Sequence, residues 1–467
     1  LFGGSEGEQM KKYLALALGV IFTLGFAASA FAIHAEIPAE TQAVVTKGST
    51  QVTLGGELRF RGEYKSNVAD FNDNNATGVS DDRTAAYDGR VRLRIEAATS
   101  KNTMGVIHLE SGSNTSDTYT GGSSADSENK GIYGEGNGKR GTLAILEAWI
   151  QHKFNIGVPA GIKVGHMPLA LGNKLFFDHT KFGDDAIVFF MDPTKELHIG
   201  LLSIKVNEAA AKPDDTDAYV ALFAYKGKGF NASGDVTYLD DKNYSTKGLH
   251  FINYGLRGDT KIGPVGIKAD VEYQRGSAKV DTGTDTDFRG YAYLLGVDYK
   301  VGNFTLDAEY ALGSGDSDSG DNKVGTFVTA MGGTQHYTYV YEYRTRSAGV
   351  TAPSAGASAI GASGTGIANT TYFKLGANGK VTKDLSLVVN YYILRATKPV
   401  STNGTYSSKK IGSELDAKIT YKLDRNLVYF VEGGYLFAGD FFKNITTSAN
   451  GEPDNAYAVR NGITLNF

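Results

Sequence analysis

Five arginines stand at every second position of two short stretches: Arg59 and Arg61 in Gln51–Lys65, and Arg90, Arg92 and Arg94 in Tyr87–Ala97. A spacing of two puts each set on one face of an extended strand. Guanidinium is permanently charged and attracts carboxylates strongly. A row of such groups facing acidic residues sets up a transverse field that orients dipolar solutes and filters ions. Glu57, Glu63, Asp88 and Glu96 share the parity of these arginines, and pairing with them would instead stiffen the wall. The two arrangements are compatible. Covalent chemistry has less to work with. The histidines (His34, His108, His152, His166, His179, His198, His250, His336) are scattered, and no Gly-x-Ser-x-Gly elbow occurs from Met10 onward, so a hydrolase is the minor reading. The absence of cysteine excludes a disulfide scaffold, a Cys-x-x-Cys metal site and covalent haem. In Gly315–Asn322, Asp316, Asp318 and Asp321 alternate, but no bidentate Glu follows at the twelfth position, so a solvated loop is expected there rather than a calcium site. No cofactor or metal is expected.

The elements that position the arginines have an apolar opposite face: Val52, Leu54, Leu58, Phe60 and Tyr64 on the first stretch, Val91, Leu93 and Ile95 on the second. The same alternation returns at Val265–Tyr273, Tyr291–Val301, Phe304–Leu312, Ile411–Leu423 and Asn455–Phe467. It is weaker at Thr103–Ser111, Leu143–Phe154, Gly161–Ala170, Ala186–Met191, His198–Val206, Ala218–Tyr225, Phe230–Leu239, Leu249–Asp259, Thr371–Val381, Leu385–Arg395 and Leu427–Phe437. That makes about eighteen segments of roughly ten residues, the length that crosses a bilayer at a tilt. Connections alternate between tight turns (Gly227-Lys228-Gly229, Ile262-Gly263-Pro264, Val301-Gly302-Asn303) and long polar stretches (Ser66–Arg83, Gly112–Arg140, Gly313–Asn369). With 59 Gly, 27 Tyr, 24 Phe and only 9 Pro, the chain reads as an all-β, antiparallel, up-and-down transmembrane barrel with short periplasmic turns and long external loops. Tyr and Phe near segment ends suit the membrane interfaces. Sixteen to twenty strands are compatible with the length. Twenty would require Val324–Met331 and His336–Arg344 to span; otherwise the latter is a strand of an external hairpin.

Residues 1–9 read as an over-extended start before Met10. Lys11-Lys12, the apolar run Tyr13–Phe26 and the small-x-small site Ala30-Phe31-Ala32 read as a signal peptide over 10–32. Residues 33–49 follow as a periplasmic lead-in and 50–467 as the barrel. The formal charge of −4 carries no basic excess to suggest nucleic acid.

The signal peptide, the alternating strands and the terminal Phe467 resemble Gram-negative outer-membrane porins. Lys163-Val164-Gly165-His166-Met167-Pro168-Leu169-Ala170-Leu171-Gly172 resembles the fifth strand of the larger, eighteen-stranded members, with His166-Met167 where many carry Arg-Gln. The resemblance implies passive diffusion of small hydrophilic solutes and ions across the bacterial outer membrane. It implies that Leu171–Ala186 folds inward as a constriction. Lys174, Asp178, His179, Lys181, Asp184 and Asp185 would project into the channel, and Leu175, Phe176, Phe177 and Phe182 would pin the loop to the inner wall. Phe467 matches the aromatic read by the barrel-assembly machinery. Outer-membrane lipid and lipopolysaccharide would surround the barrel, and a homotrimer is possible. The alternative is a scaffold barrel that sheathes an electron-transfer partner or serves as an adhesin; a lumen blocked by its own loop would argue against a sheath. The acidic chain favours cations at the external mouth and the arginines favour anions at the narrowest point, so a weak anion preference is expected.

Overall fold

Strands form where the period-two stretches lie, because an isolated strand in hydrocarbon leaves its backbone unpaired and only a closed sheet satisfies every group. The computed structural model describes residues 43–47, 50–73, 83–111, 119–121, 143–181, 183–208, 215–242, 245, 247–316, 321–329, 337–345, 366–400, 408–444 and 451–467. The expected signal peptide, Phe182 and His336 lie outside the described residues. Eighteen long strands run in order around the sheet: β1 (Thr50–Ser66), β2 (Thr84–Ala98), β3 (Thr103–Ser111), β4 (Leu143–Asn155), β5 (Pro159–Met167), β6 (Asp184–Met191), β7 (Leu197–Asn207), β8 (Thr216–Lys226), β9 (Phe230–Asp241), β10 (Leu249–Ile262), β11 (Val265–Ala278), β12 (Tyr291–Val301), β13 (Phe304–Gly313), β14 (Thr370–Lys380), β15 (Leu385–Val400), β16 (Ser408–Asp424), β17 (Leu427–Ala438) and β18 (Ala456–Asn466). Each pairs antiparallel with the next, and β18 returns to β1 from Glu57↔Asn466 to Ser66↔Tyr457, so the barrel is closed. The tight turns carry glycines in the left-handed region, Gly229, Gly263 and Gly302 among them, which L side chains rarely adopt.

Leu58, Phe60, Leu256, Leu295, Ile393 and Leu415 are among the large apolar side chains exposed on the outer face. An apolar band of this kind around a closed sheet is a lipid-facing belt. The buried apolar residues lie on the other parity, inside the barrel. The alternation expected from the sequence therefore holds, and the strand number is eighteen.

Within the expected lead-in, Ala43–Lys47 pairs back on the start of β1, Ala43↔Leu54 to Lys47↔Thr50. One expectation differs: the described part of His336–Arg344 neither spans nor forms a hairpin strand. It leads into a short helical turn, Tyr341–Thr345, with Val340 and Tyr341 almost fully buried. Its alternating tyrosines are occupied by contacts inside the lumen.

Candidate permeation site

The arginine wall is built by register. Arg59 pairs across from Arg90, Arg61 from Asp88 and Glu57 from Arg92, and β3 sets Glu110 opposite Arg92. All five arginines lie on the parity opposite the lipid-facing Leu58, Phe60, Leu93 and Ile95, hence on the inner face. Each meets a carboxylate. Asp88 lies 2.7 Å from Arg61 and 4.0 Å from Arg59, and Glu57 lies 2.7 Å from Arg90. Arg92 pairs with Glu110, and Arg94 pairs with Glu147 at 2.6 Å and Glu96 at 3.6 Å. Five carboxylates thus face five guanidiniums. Glu63, also on this parity, pairs instead with Arg344 of the long loop. Glu147 is a hub: besides Arg94 it accepts hydrogen bonds from the Trp149 indole (2.8 Å) and lies 2.9 Å from His108 Nδ1. Lys163 of β5 sits over the Trp149 ring, 3.9 Å from its centroid, a cation–π contact. Among the arginines, the side chains of Arg92 and Arg94 are the most accessible, 16% and 24% against 9–11% for the other three, and the most accessible carboxylate of the wall is Glu96 at 35%.

The connection 168–183 between β5 and β6 folds inward as a small hairpin, with Leu171 N donating to Phe177 O (3.1 Å) and His179 N to Leu169 O (2.8 Å). Its tip reaches across to β10 and β11. Asn173 donates through its backbone N–H (3.1 Å) and Nδ2 (3.0 Å) to Asp270 Oδ2. Gly172, at φ +54°, lies so close to Arg257 that a Cβ would fall 1.7 Å from its Nε. Leu175, Phe176 and Phe177 are 2%, 2% and 0% exposed. They cover an inner wall that is itself apolar: Ala186, Val188, Leu202, Ile204, Val220 and Leu222 are all buried.

The charged residues of this loop divide. Lys174 is half-exposed and reaches Asp178 Oδ2 at 3.4 Å. Lys181 is also partly exposed. Asp178 is buried and accepts from Thr180 N (3.1 Å) and Oγ1 (2.6 Å), so it shapes the loop rather than projecting from it. His179 stacks on Phe177 and lies 2.6 Å from Asp184, which is also buried. Asp185 does not point inward: as the second residue of β6 it takes the outer parity and meets His166 at 2.9 Å, its side chain 74% exposed. One residue of alternation moves a side chain to the other side of the barrel.

Under the loop tip lies a buried charged group missed in the sequence. Arg257 of β10 pairs with Asp235 of β9 and with Asp270 and Glu272 of β11. Asn253 donates to Glu272 at 2.7 Å. All take the inner parity of their strands, which was the available signal.

A second connection, between β13 and β14, also enters the lumen. Gln274 of β11 holds Val328 like a strand partner, accepting its N–H (2.8 Å) and donating to its carbonyl (2.7 Å). Further along, the Tyr341 N–H donates to Glu414 of β16 at 2.8 Å, the Val340 N–H to the same carboxylate at 2.5 Å, and the Tyr339 N–H to Asp416 at 3.0 Å. The segment then reaches the arginine wall: Arg344 pairs with Glu63, and Tyr343 lies between Arg344, 3.6 Å over its ring, and Arg460 of β18. Burial pushes the Tyr343 hydroxyl up, but the two guanidiniums outweigh it and hold the group below the usual phenol value. Arg460 in turn pairs with Glu432 of β17.

Comparison with known proteins finds no matching family model and no matching curated relative. Solved structures do match. Pseudomonas aeruginosa OccK11 (OpdR) aligns at 11% identity with a TM-score of 0.51, covering 89% of this chain and 96% of that one. Acinetobacter baumannii OccAB2 aligns at 10% and 0.54, covering 89% and 98%. Pseudomonas aeruginosa OpdK, crystallised with vanillate, aligns at 11% and 0.51, covering 89% and 98%. These are outer-membrane porins. At such identities the likeness is one of fold: this chain has the closed eighteen-stranded barrel of the outer-membrane porins, and its apolar belt is that of a membrane-spanning barrel.

Proposed function

We propose that the chain is a passive channel for small hydrophilic solutes and ions, narrowed between the arginine wall of β1–β4 and the two inward connections. The observation that carries this reading is the inward hairpin at 168–183, anchored on Asp270 across the lumen. It divides the lumen without joining the barrel sheet, as a constriction requires. The wall supplies polar, charged surface on the remaining side. Because its five guanidiniums face five carboxylates, its field is mostly internal, and a weak anion preference rests on Arg92 and Arg94 outweighing the exposed Glu96 at the narrowest point. The vanillate in the OpdK structure is an anionic solute of the kind such a wall would admit. The sheath alternative gains no support, since a barrel that holds its own connections inside leaves less room for a partner.

The test is single-channel recording of the purified protein in a planar bilayer under a salt gradient. Discrete conductance steps with a small anion-selective reversal potential are expected. Folded, heat-modifiable protein that gives no steps would overturn the channel reading, and a cation-selective potential would overturn the assignment to Arg92 and Arg94.

A further inference from the structure

On the outer surface of the barrel, at the external ends of β15 and β16, Arg395 and Lys410 are direct cross-strand partners. Both are exposed. Like charges directly opposite in a sheet repel, and a bulge creates this pair. The register runs Leu394↔Gly412 and then Arg395↔Lys410, skipping Ile411. Below the bulge the even-numbered positions of β16, Glu414 and Asp416, face the lumen. Gly412, at φ +137°, takes a backbone conformation that L side chains rarely adopt, and beyond it Ile411 turns inward to full burial while Lys410 turns out. A bulge re-aims side chains in this way. Without it Lys410 would face the lumen.

Lys398 and Lys409 lie close by in the chain and are exposed, and Lys409 Nζ donates to Thr397 O at 2.9 Å. From Arg395 to Lys410 the chain contains no Asp or Glu. The carboxylate at the neighbouring end of β17, Asp440, is held by Lys443 at 3.3 Å. At two other external strand ends the cations are matched internally, Lys205 by Asp215 and Asp217 and Lys279 by Asp285. Along β15 the lipid-facing positions Leu387, Val389, Tyr391 and Ile393 come immediately before Arg395. Arg395 and Lys410 therefore sit where the apolar belt ends, at the depth of the outer-leaflet headgroups.

We propose that Arg395 and Lys410 bind the phosphorylated headgroup of an outer-leaflet glycolipid. Phosphate supplies the charge and acceptor oxygens that the paired cations need, and the lipid's acyl chains lie along the belt below. This site is on the outer face and does not rest on the channel reading.

The full chain, refolded in detergent, is titrated with diphosphorylated lipid A, with the same lipid stripped of its phosphates, and with inorganic phosphate, and adducts are read by native mass spectrometry. The expected result is binding of the phosphorylated lipid that falls about tenfold or more in Arg395→Glu with Lys410→Glu. Arg395→Gln with Lys410→Gln should weaken binding in the same direction, and this milder pair serves if the charge reversal does not fold. Lys205→Gln, whose cation is already paired, should bind as the unsubstituted chain does. The proposal is overturned if the phosphorylated lipid does not bind, if the Gln pair binds unchanged, if the stripped lipid binds equally, if Lys205→Gln loses as much, or if inorganic phosphate displaces the lipid at equal concentration.

Discussion

Gly56 and Phe467 exchange both backbone hydrogen bonds, Gly56 N to Phe467 O at 2.7 Å and Phe467 N to Gly56 O at 3.0 Å, and the Phe467 ring occupies the space above the glycine. A Cβ at position 56 would meet ring atom Cζ at 2.4 Å. The last residue thus locks the seam where the sheet closes. Phe467→Ala should cost about 1–2 kcal/mol, less than a fully buried phenylalanine, because the ring is 42% exposed. Gly56→Val should cost more, since it displaces the ring and the seam together. Urea unfolding in lipid vesicles, followed by heat-modifiable migration, checks both. If Phe467→Ala folds as fast and as stably as the unsubstituted chain, the ring has no part in closure.

The inward hairpin is held at its tip by Asn173 on Asp270 and by the absence of a side chain at Gly172. Asn173→Ala removes one of the two hydrogen bonds to a buried carboxylate and should cost about 1–3 kcal/mol of loop docking. Gly172→Ala should undock the tip more completely, because its Cβ would overlap Arg257. Single-channel records should show larger, noisier conductance in both variants with thermal stability little changed, since no barrel pairing uses either residue. Unchanged conductance in Gly172→Ala would show that the loop tip does not limit passage.

The barrel was legible in the sequence because lipid and lumen are different solvents, and a strand between them must alternate. The segments where the alternation was weak have a physical reason. In β6, β7 and β8 the inner positions Val188, Leu202, Ile204, Val220 and Leu222 are apolar because Phe176, Phe177 and their neighbours cover them, so both faces are greasy and the period fades. The weak pattern itself marks where an inward loop docks. Asp178, His179, Asp184 and Asp185 could not be assigned from residue type, because loop-internal hydrogen bonds and one step of strand parity decide where each points. The entry of 337–345 into the lumen left no local signal: it depends on Glu414, Asp416 and Glu63, distant in sequence and known only from register.

The arginine wall makes a distinction between charge and charge balance. Arg90→Ala, Arg92→Ala and Arg94→Ala together would leave Glu57, Glu110 and Glu147 without their guanidiniums. The ratio of cation to anion permeability should then rise about fivefold, on the order of 1 kcal/mol between ion signs, with a wider pore. The balanced pair Arg92→Gln with Glu110→Gln should shift the reversal potential much less than the triple variant does. If the triple variant leaves selectivity unmoved, these arginines do not line the passage.

Glu414 is the anchor of the second inward segment, with two backbone N–H groups on one carboxylate. Glu414→Gln replaces one acceptor by a donor, and Glu414→Ala removes both. Each orphaned N–H costs about 1–3 kcal/mol, enough to loosen a short segment whose other ties include the Tyr339 N–H on Asp416, the Glu63–Arg344 pair and tyrosine contacts. Arg344 is 5% exposed, so trypsin should cleave after it slowly in the folded chain and much faster in Glu414→Ala. The barrel should keep its heat-modifiable migration, because the strand pairing of β16 runs through its backbone. Cleavage at the same slow rate in both chains would mean that Glu63, Asp416, Arg460 and the tyrosines hold the segment without Glu414.

The lipid belt can be tested by a single charge. Leu295 lies at the middle of β12, faces outward and is 52% exposed, whereas its neighbour Leu294 faces inward and is buried. Arginine at the bilayer midplane on the lipid face of a barrel costs about 2–4 kcal/mol, falling toward zero near the interfaces. Leu295→Arg should therefore lower the unfolding free energy in vesicles by that amount, while Tyr291→Arg, at the external end of the same strand and on the same face, should cost about 1 kcal/mol or less. The depth dependence is the discriminating result. A soluble sheet with one wet face would tolerate arginine equally at both positions, so equal small losses would mean that this face meets water rather than hydrocarbon.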